Sequence, residues 1–246
     1  MDSRFKKQIL IALIFLAIIA VFVFLIYLIF KKPVLTPKII EKPQLPEILF
    51  SRFFLVSGSS YDVLFRLKNP NVNFGASSVV YKIEFLNSAN DLIVEKIGET
   101  YLWPLDERWV AVPQISVPSL PAKLKVIVVS ANWEKLSDFI PPRISVFSGK
   151  YEEIKNNGVF AKATGRIKNG EVFTFEDIDI FAVAKDGLGN ALSVNFTRIG
   201  KIEAGQEIPF EISWFRSFEG KVAKLDLEAR TDIFQNELFL SSFKKD

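Results

Sequence analysis

The sequence predicts an all-β protein held behind one N-terminal transmembrane α-helix. Three observations predict it. Residues 9–30 are an uncharged run of 22, with the Tyr27 hydroxyl as their only side-chain polar group. Beyond that run, apolar and polar residues alternate with period 2. The two halves of the remaining chain also repeat one another about 100 residues apart.

The run at 9–30 sets the first element. A helix rising about 1.5 Å per residue needs roughly 20 apolar residues to cross the hydrocarbon of a bilayer. Lys6 and Lys7 precede the run, and Lys31 and Lys32 close it. A cleaved signal peptide has a shorter apolar core followed by small residues, so an uncleaved anchor is expected. Residues 1–8 then form a short head. Residues 31–46 form a stalk, in which Pro33, Pro37, Pro43 and Pro46 favour extended polyproline II. Three Lys/Arg on the amino side face four just beyond the run, so the positive-inside count is nearly balanced. A short head before a large folded region most often stays inside. The expected placement is a single-pass cell-membrane protein, N-terminus in, with the later domains extracytoplasmic.

Charge supports that division. Residues 1–46 carry seven Lys/Arg and two Asp/Glu, whereas residues 47–246 carry 24 and 26. The basic excess lies where lipid headgroups would meet it. The folded part shows no basic excess of the kind a nucleic-acid surface requires, so no nucleic-acid partner is expected. There is no Cys and no His. Disulfides, thiol nucleophiles and thiolate zinc sites are excluded, and the commonest general base near neutral pH is missing. No Gly-rich phosphate loop occurs. The chain is expected to be neither an enzyme nor a cofactor protein.

From Glu47 onward the period is that of strands buried on one face. Tyr61, Val63, Phe65 and Leu67 share a face, as do Val79, Tyr81, Ile83 and Phe85. In the second half Ala161, Ala163 and Ile167 form one row, and Ile208, Phe210, Ile212 and Trp214 another. Asn157-Gly158, Asn169-Gly170 and Asp186-Gly187 mark turns. Arg66-Leu67-Lys68-Asn69 returns as Arg166-Ile167-Lys168-Asn169, each ending a strand. A period of about 100 residues is the size of an immunoglobulin-like β-sandwich, so two such domains in tandem are expected. Domain 1 is 47–140 and domain 2 is 141–246, divided where Pro141-Pro142 breaks strand pairing.

The second half, with Gly165-Arg166-Ile167-Lys168-Asn169, Phe175-Glu176-Asp177-Ile178 and Asp186-Gly187-Leu188-Gly189-Asn190, resembles the bacterial FxLYD domain. Ala204 to Phe210 fits that family's turn before a late strand. The first half, with Leu67-Lys68-Asn69-Pro70-Asn71, resembles the related LEA14-like domain. The resemblance implies small β-sandwiches, often outside the membrane of bacteria and archaea. It implies no catalytic role and no site residue.

Candidate sites are few. Glu176, Asp177 and Asp179 form the densest acidic cluster, read as a solvated strand face with a cation site as the alternative. Asp186 to Asn190 lacks the ligand spacing of an EF-hand and is read as a hairpin turn. The aromatic stretch with Phe53 and Phe54, and the tail with Phe239 and Phe243, are possible partner surfaces through strand addition. The plainer reading makes them the first strand of domain 1 and the last strand of domain 2. The function expected is a membrane-anchored, non-catalytic binding or scaffolding protein at the cell envelope. Its partners would be the bilayer, through residues 9–30, and an unknown envelope protein or polymer. The alternatives are a structural subunit of a secretion or pilus type of machine and, further off, an envelope hydrolase.

Overall fold

The computed structural model describes residues 3–30, 42–156 and 158–244. The first two residues of the head, and residues 31–41 of the expected stalk, lie outside the described residues. The chain divides into two compact units, Met1–Lys42 and Pro43–Asp246.

In the first unit one helix, α1, runs Ser3–Phe30. Its side chains are described without a break over residues 13–27, and every one is exposed. Among the described residues, no helix is long and apolar enough to cross a membrane. The backbone helix is longer than that side-chain stretch, at 28 residues.

Among its described residues the second unit holds twelve strands. They are β1 (Glu47–Ser57), β2 (Ser60–Lys68), β3 (Phe74–Leu86), β4 (Leu92–Leu102), β5 (Glu107–Ser116) and β6 (Lys123–Lys135). The second six are β7 (Ile144–Asn156), β8 (Val159–Asn169), β9 (Phe175–Lys185), β10 (Ala191–Ile202), β11 (Glu207–Trp214) and β12 (Lys224–Arg230). All pairings are antiparallel. The sheets run β1-β2-β5 and β4-β3-β6, then β7-β8-β11 and β10-β9-β12. Adding six to each strand of the first pair gives the second pair, so the sequence repeat is also a repeat of topology.

Period 2 explains each core. Val63, Phe65 and Leu67 of β2 face Val79, Ile83 and Phe85 of β3 across the first pair of sheets, all fully buried. Ala161, Ala163 and Ile167 of β8 face Ile178, Ile180 and Ala182 of β9 across the second. Leu64 breaks the alternation, because it is buried although it points out of the first core. It packs with Trp109, Val183, Ala191 and Val194, where the outer face of one sandwich meets that of the other. Phe50 and Phe54 line the same seam. Arg52 Nη1 donates across it to the Ala191 carbonyl at 2.7 Å.

The loops repeat as closely as the strands. Asn69 is fully buried, and its Nδ2 donates to the carbonyls of Phe74 and Trp103, both at 2.7 Å. Asn169 is also fully buried and donates to Phe173 at 2.7 Å and Glu203 at 3.1 Å. Each thus ties the end of one strand to two loops of its own sandwich.

The tail differs from the strand expected there. After β12 come a 3₁₀ turn, Ile233–Gln235, and a short helix α2, Glu237–Leu240. Asp232 caps the first through the Phe234 N–H and Asn236 caps the second through the Phe239 N–H, each at 3.0 Å. Side-chain caps of this kind stabilise a helix start and compete with strand pairing. The spacing of Phe239 and Phe243, one helical turn apart, puts both on the side that meets Phe139.

Candidate functional site

None of the four aromatic residues singled out from sequence lies on an open surface. Phe53 packs edge-on against Tyr61 and Phe85, with ring centroids at 5.6 and 5.5 Å, in the first core. Phe54 belongs to the seam, with the Arg52 guanidinium 5.4 Å from its ring. Phe239 is 3% exposed among Phe139, Phe173 and Phe175, and Phe243 closes over it at 5.3 Å. Their shared property is packing, which is what large aromatic side chains do best.

The Asp186 loop is a turn satisfied from within. Asp186 Oδ1 accepts from the N–H groups of Leu188 and Asn190, and its Oδ2 accepts from Asn190 Nδ2. The Asn190 amide and the neighbouring loop N–H groups hold this carboxyl below the ordinary carboxylate value. The corresponding loop of the first sandwich uses Asn87 and Asp91 in the same bonds, with amide and carboxylate exchanged.

The acidic residues do meet at a feature. A cleft of about 990 Å³ opens between the start of β9, the end of β4, β5, β10 and the capped tail. Six carboxylates line it, those of Glu99, Glu176, Asp177, Asp179, Asp232 and Glu237, against two guanidiniums, Arg108 and Arg198. Two hydrogen bonds fix the tail as one wall: Thr231 Oγ1 donates to the Glu176 carbonyl at 2.8 Å and Asn236 Nδ2 to that of Thr174 at 2.9 Å. Arg198 is used up by Asp179, in a two-pronged pair at 2.7 and 3.0 Å. Asp177 sits at φ 48°, a left-handed conformation rare for a residue with a side chain. Glu99, Glu176, Asp177 and Glu237 make no salt bridge among the described residues.

Arg108 is unusual. It is 2% exposed, yet among the described residues no carboxylate reaches salt-bridge distance of it. Its Nη1 donates to the Tyr101 carbonyl at 3.3 Å and its Nε to the Trp109 carbonyl at 3.5 Å, both long. The guanidinium lies 4.2 Å from the Tyr101 ring centroid. Burial works against its charge, but Tyr101, Asp106 and Glu228 outweigh that and leave its pKa above the ordinary value. The Tyr101 hydroxyl is buried with no hydrogen-bond partner. Burial pushes its pKa up to about 12. Burial also pushes the Asp232 carboxyl above the ordinary value, although Phe234 N–H and Gln235 Nε2 occupy its two oxygens.

Glu176, Asp177 and Asp179 were legible in sequence, but Tyr101, Arg108 and Asp232 were missed. One signal for Arg108 existed. In the ladders, Arg108 pairs with Leu67 just as Ile208 pairs with Ile167. The repeat therefore puts an arginine where its second copy keeps an apolar residue. Among the described residues, no group of three or more Asp or Glu is placed to hold a metal ion, the cluster at 176–179 included.

No protein-family model matches the chain, and no curated protein matches it. Among solved structures, a match is found to the crystal structure of red sea bream transglutaminase, at 9% identity and a TM-score of 0.26. The match covers 78% of this chain and 30% of that one.

Proposed function

We propose that the chain is a membrane-anchored, non-catalytic binding protein whose cleft between the two sandwiches takes the ligand. The observation that carries the anchor is α1: apolar side chains exposed at every position of 13–27, within an uncharged run of 22 residues. A helix apolar on all sides requires an apolar surrounding. The backbone helix of 28 residues is about 42 Å long. In this reading the N-terminus is inside and the sandwiches are outside the cytoplasm, as immunoglobulin-like domains of the FxLYD and LEA14-like kind. The shared strand order and the repeat of about 100 residues support that assignment.

Binding is favoured over hydrolysis by Asp232. It is the cleft carboxylate whose pKa is raised, as a general acid requires. Both its oxygens are committed to the 3₁₀ turn and its neighbour Gln235, which leaves no lone proton donor aimed at a substrate. The test of the anchor is alkaline carbonate extraction of membranes holding the full chain. The chain should stay in the pellet, and a variant with four of residues 13–27 replaced by Lys should move to the supernatant. Release of the unaltered chain would remove the anchor. Protease added to intact cells, with any outer layer made permeable, should digest residues 47–246; protection reverses the orientation.

A further inference from the structure

We propose that the cleft binds a basic peptide segment: its cationic side chains meet the free carboxylates, and its C-terminal carboxylate meets Arg108 and the Tyr101 hydroxyl. This rests on the reading of the chain as a binding protein and names the ligand class of that site.

Two independent observations point the same way. The first is the excess of negative charge. With Arg198 held by Asp179, the carboxylates of Glu99, Glu176, Asp177 and Glu237 face the cleft without a salt bridge. A region lined by one sign of charge beside low-dielectric walls draws in the opposite sign. The second is the pair of groups that the fold leaves short of partners. Arg108 is 2% exposed and is met by two long carbonyl contacts but, among the described residues, by no carboxylate, and the buried Tyr101 hydroxyl beside it makes no hydrogen bond among them. The Tyr101 hydroxyl is thus a buried donor without an acceptor, which is costly, and it lines the cleft, where a ligand's oxygen can satisfy it.

These requirements discriminate. A polyamine satisfies the carboxylates but brings no acceptor to Arg108. A nucleic acid or an anionic glycan brings acceptors but is repelled by four unpaired carboxylates. A basic peptide brings both. Thr100, Thr174 and Gln235 add neutral partners suited to a peptide backbone. The volume of about 990 Å³ lies at the upper end of the roughly 300–1,000 Å³ typical of ligand sites, which suits a segment of a few residues.

The test is calorimetric titration of the full chain in detergent micelles. Three probes are compared: a tetrapeptide of alternating Lys and Ala with a free C-terminus, its C-terminal amide, and spermidine. The free acid should bind tightest. The amide should bind about tenfold more weakly, because it loses a charge-assisted bond worth roughly 1.5 kcal/mol or more. The exposed pair Glu176→Gln and Asp177→Asn, combined in one variant, should weaken the free acid by about tenfold or more, as should high salt. No binding of the free acid overturns the proposal. So does an amide or spermidine that binds equally well, or a double variant that binds unchanged. Failure of peptide binding by a chain that stays in the carbonate pellet removes the ligand class and leaves the anchored binder. Peptide binding by a chain that carbonate extracts supports the ligand class while removing the anchor.

Discussion

Arg230 joins the two sandwiches. Its Nη2 lies 3.2 Å from the Asp106 carboxylate of the first, while its Nε donates to Glu228 beside it at 3.0 Å. The guanidinium also sits 4.6 Å from the centroid of the Trp103 ring. The Asp106 side chain is 3% exposed, and this cation and the Trp103 backbone N–H are its partners. Arg230→Met keeps an apolar stem over the indole and leaves Asp106 buried without its cation. The expected loss is about 3 kcal/mol, the scale for stripping one partner from a buried pair. Urea unfolding followed by tryptophan fluorescence measures it. A loss under about 1 kcal/mol would show that the pair is dispensable.

The two buried asparagines make equivalent bonds and should fail equivalently. Asn169→Ala leaves the carbonyls of Phe173, Ile202 and Glu203 without their shared donor. Each net hydrogen bond contributes on the order of 1 kcal/mol, and an orphaned buried acceptor costs more. A loss of about 3 kcal/mol is expected, with Asn69→Ala close behind. If the two variants differed widely in their urea midpoints, the asparagines would not be equivalent supports.

Alkaline stability has a defined sign. Burial raises the Tyr101 hydroxyl from an ordinary value of 10.0 to about 12. The unfolded chain gives up this proton first, so the contribution to stability is complete below about pH 10 and is lost as pH rises towards about 12. Burial does the same to Tyr151, which is also pushed up to about 12. Tyr101→Phe should therefore flatten part of the alkaline fall, with the remainder left to Tyr151 and to Tyr81, which burial also raises. Unfolding midpoints at pH 9 and pH 11 give the comparison, and an identical fall in the variant would exclude Tyr101 as a source.

Gly75 marks where the tail crosses to the first sandwich. A Cβ there would lie 2.8 Å from Phe234 Cζ and 3.2 Å from Pro104 Cδ. Gly75→Val should push Phe234 aside, at a cost of about 1–3 kcal/mol for overpacking. Faster proteolysis confined to the tail would report the displacement. An unaltered digestion pattern together with unaltered stability would mean that the tail has room to move.

Much of this architecture was legible because period 2 and the repeat are local properties of sequence. The rows at 61–67 and 79–85 became cores as expected. Leu64 was not legible, because its burial comes from the second sandwich and no spacing within β2 records a neighbour about 120 residues away. The tail was misread for a related reason: Asp232 and Asn236 are short polar residues that suit a turn as readily as a loop, and only their bonds to Phe234 and Phe239 decide. For the site, the acidic run at 176–179 was visible but its surroundings were not. Arg108 needed the two halves to be compared position by position, since a lone arginine in a strand reads as a solvated residue.

The seam has a bearing on how the protein is made. Leu64 and Trp109 belong to the first half but are covered by Val183, Ala191 and Val194. Trp103 of the first half lies in the second core and carries the Arg230 guanidinium over its ring. During synthesis the first sandwich therefore emerges with an uncovered apolar flank, and it keeps that flank until the strands of the second sandwich have been added. The N-terminal half of this protein cannot be completed by its own sequence. A nascent chain stalled before residue 230 would expose a sticky face that the finished protein hides.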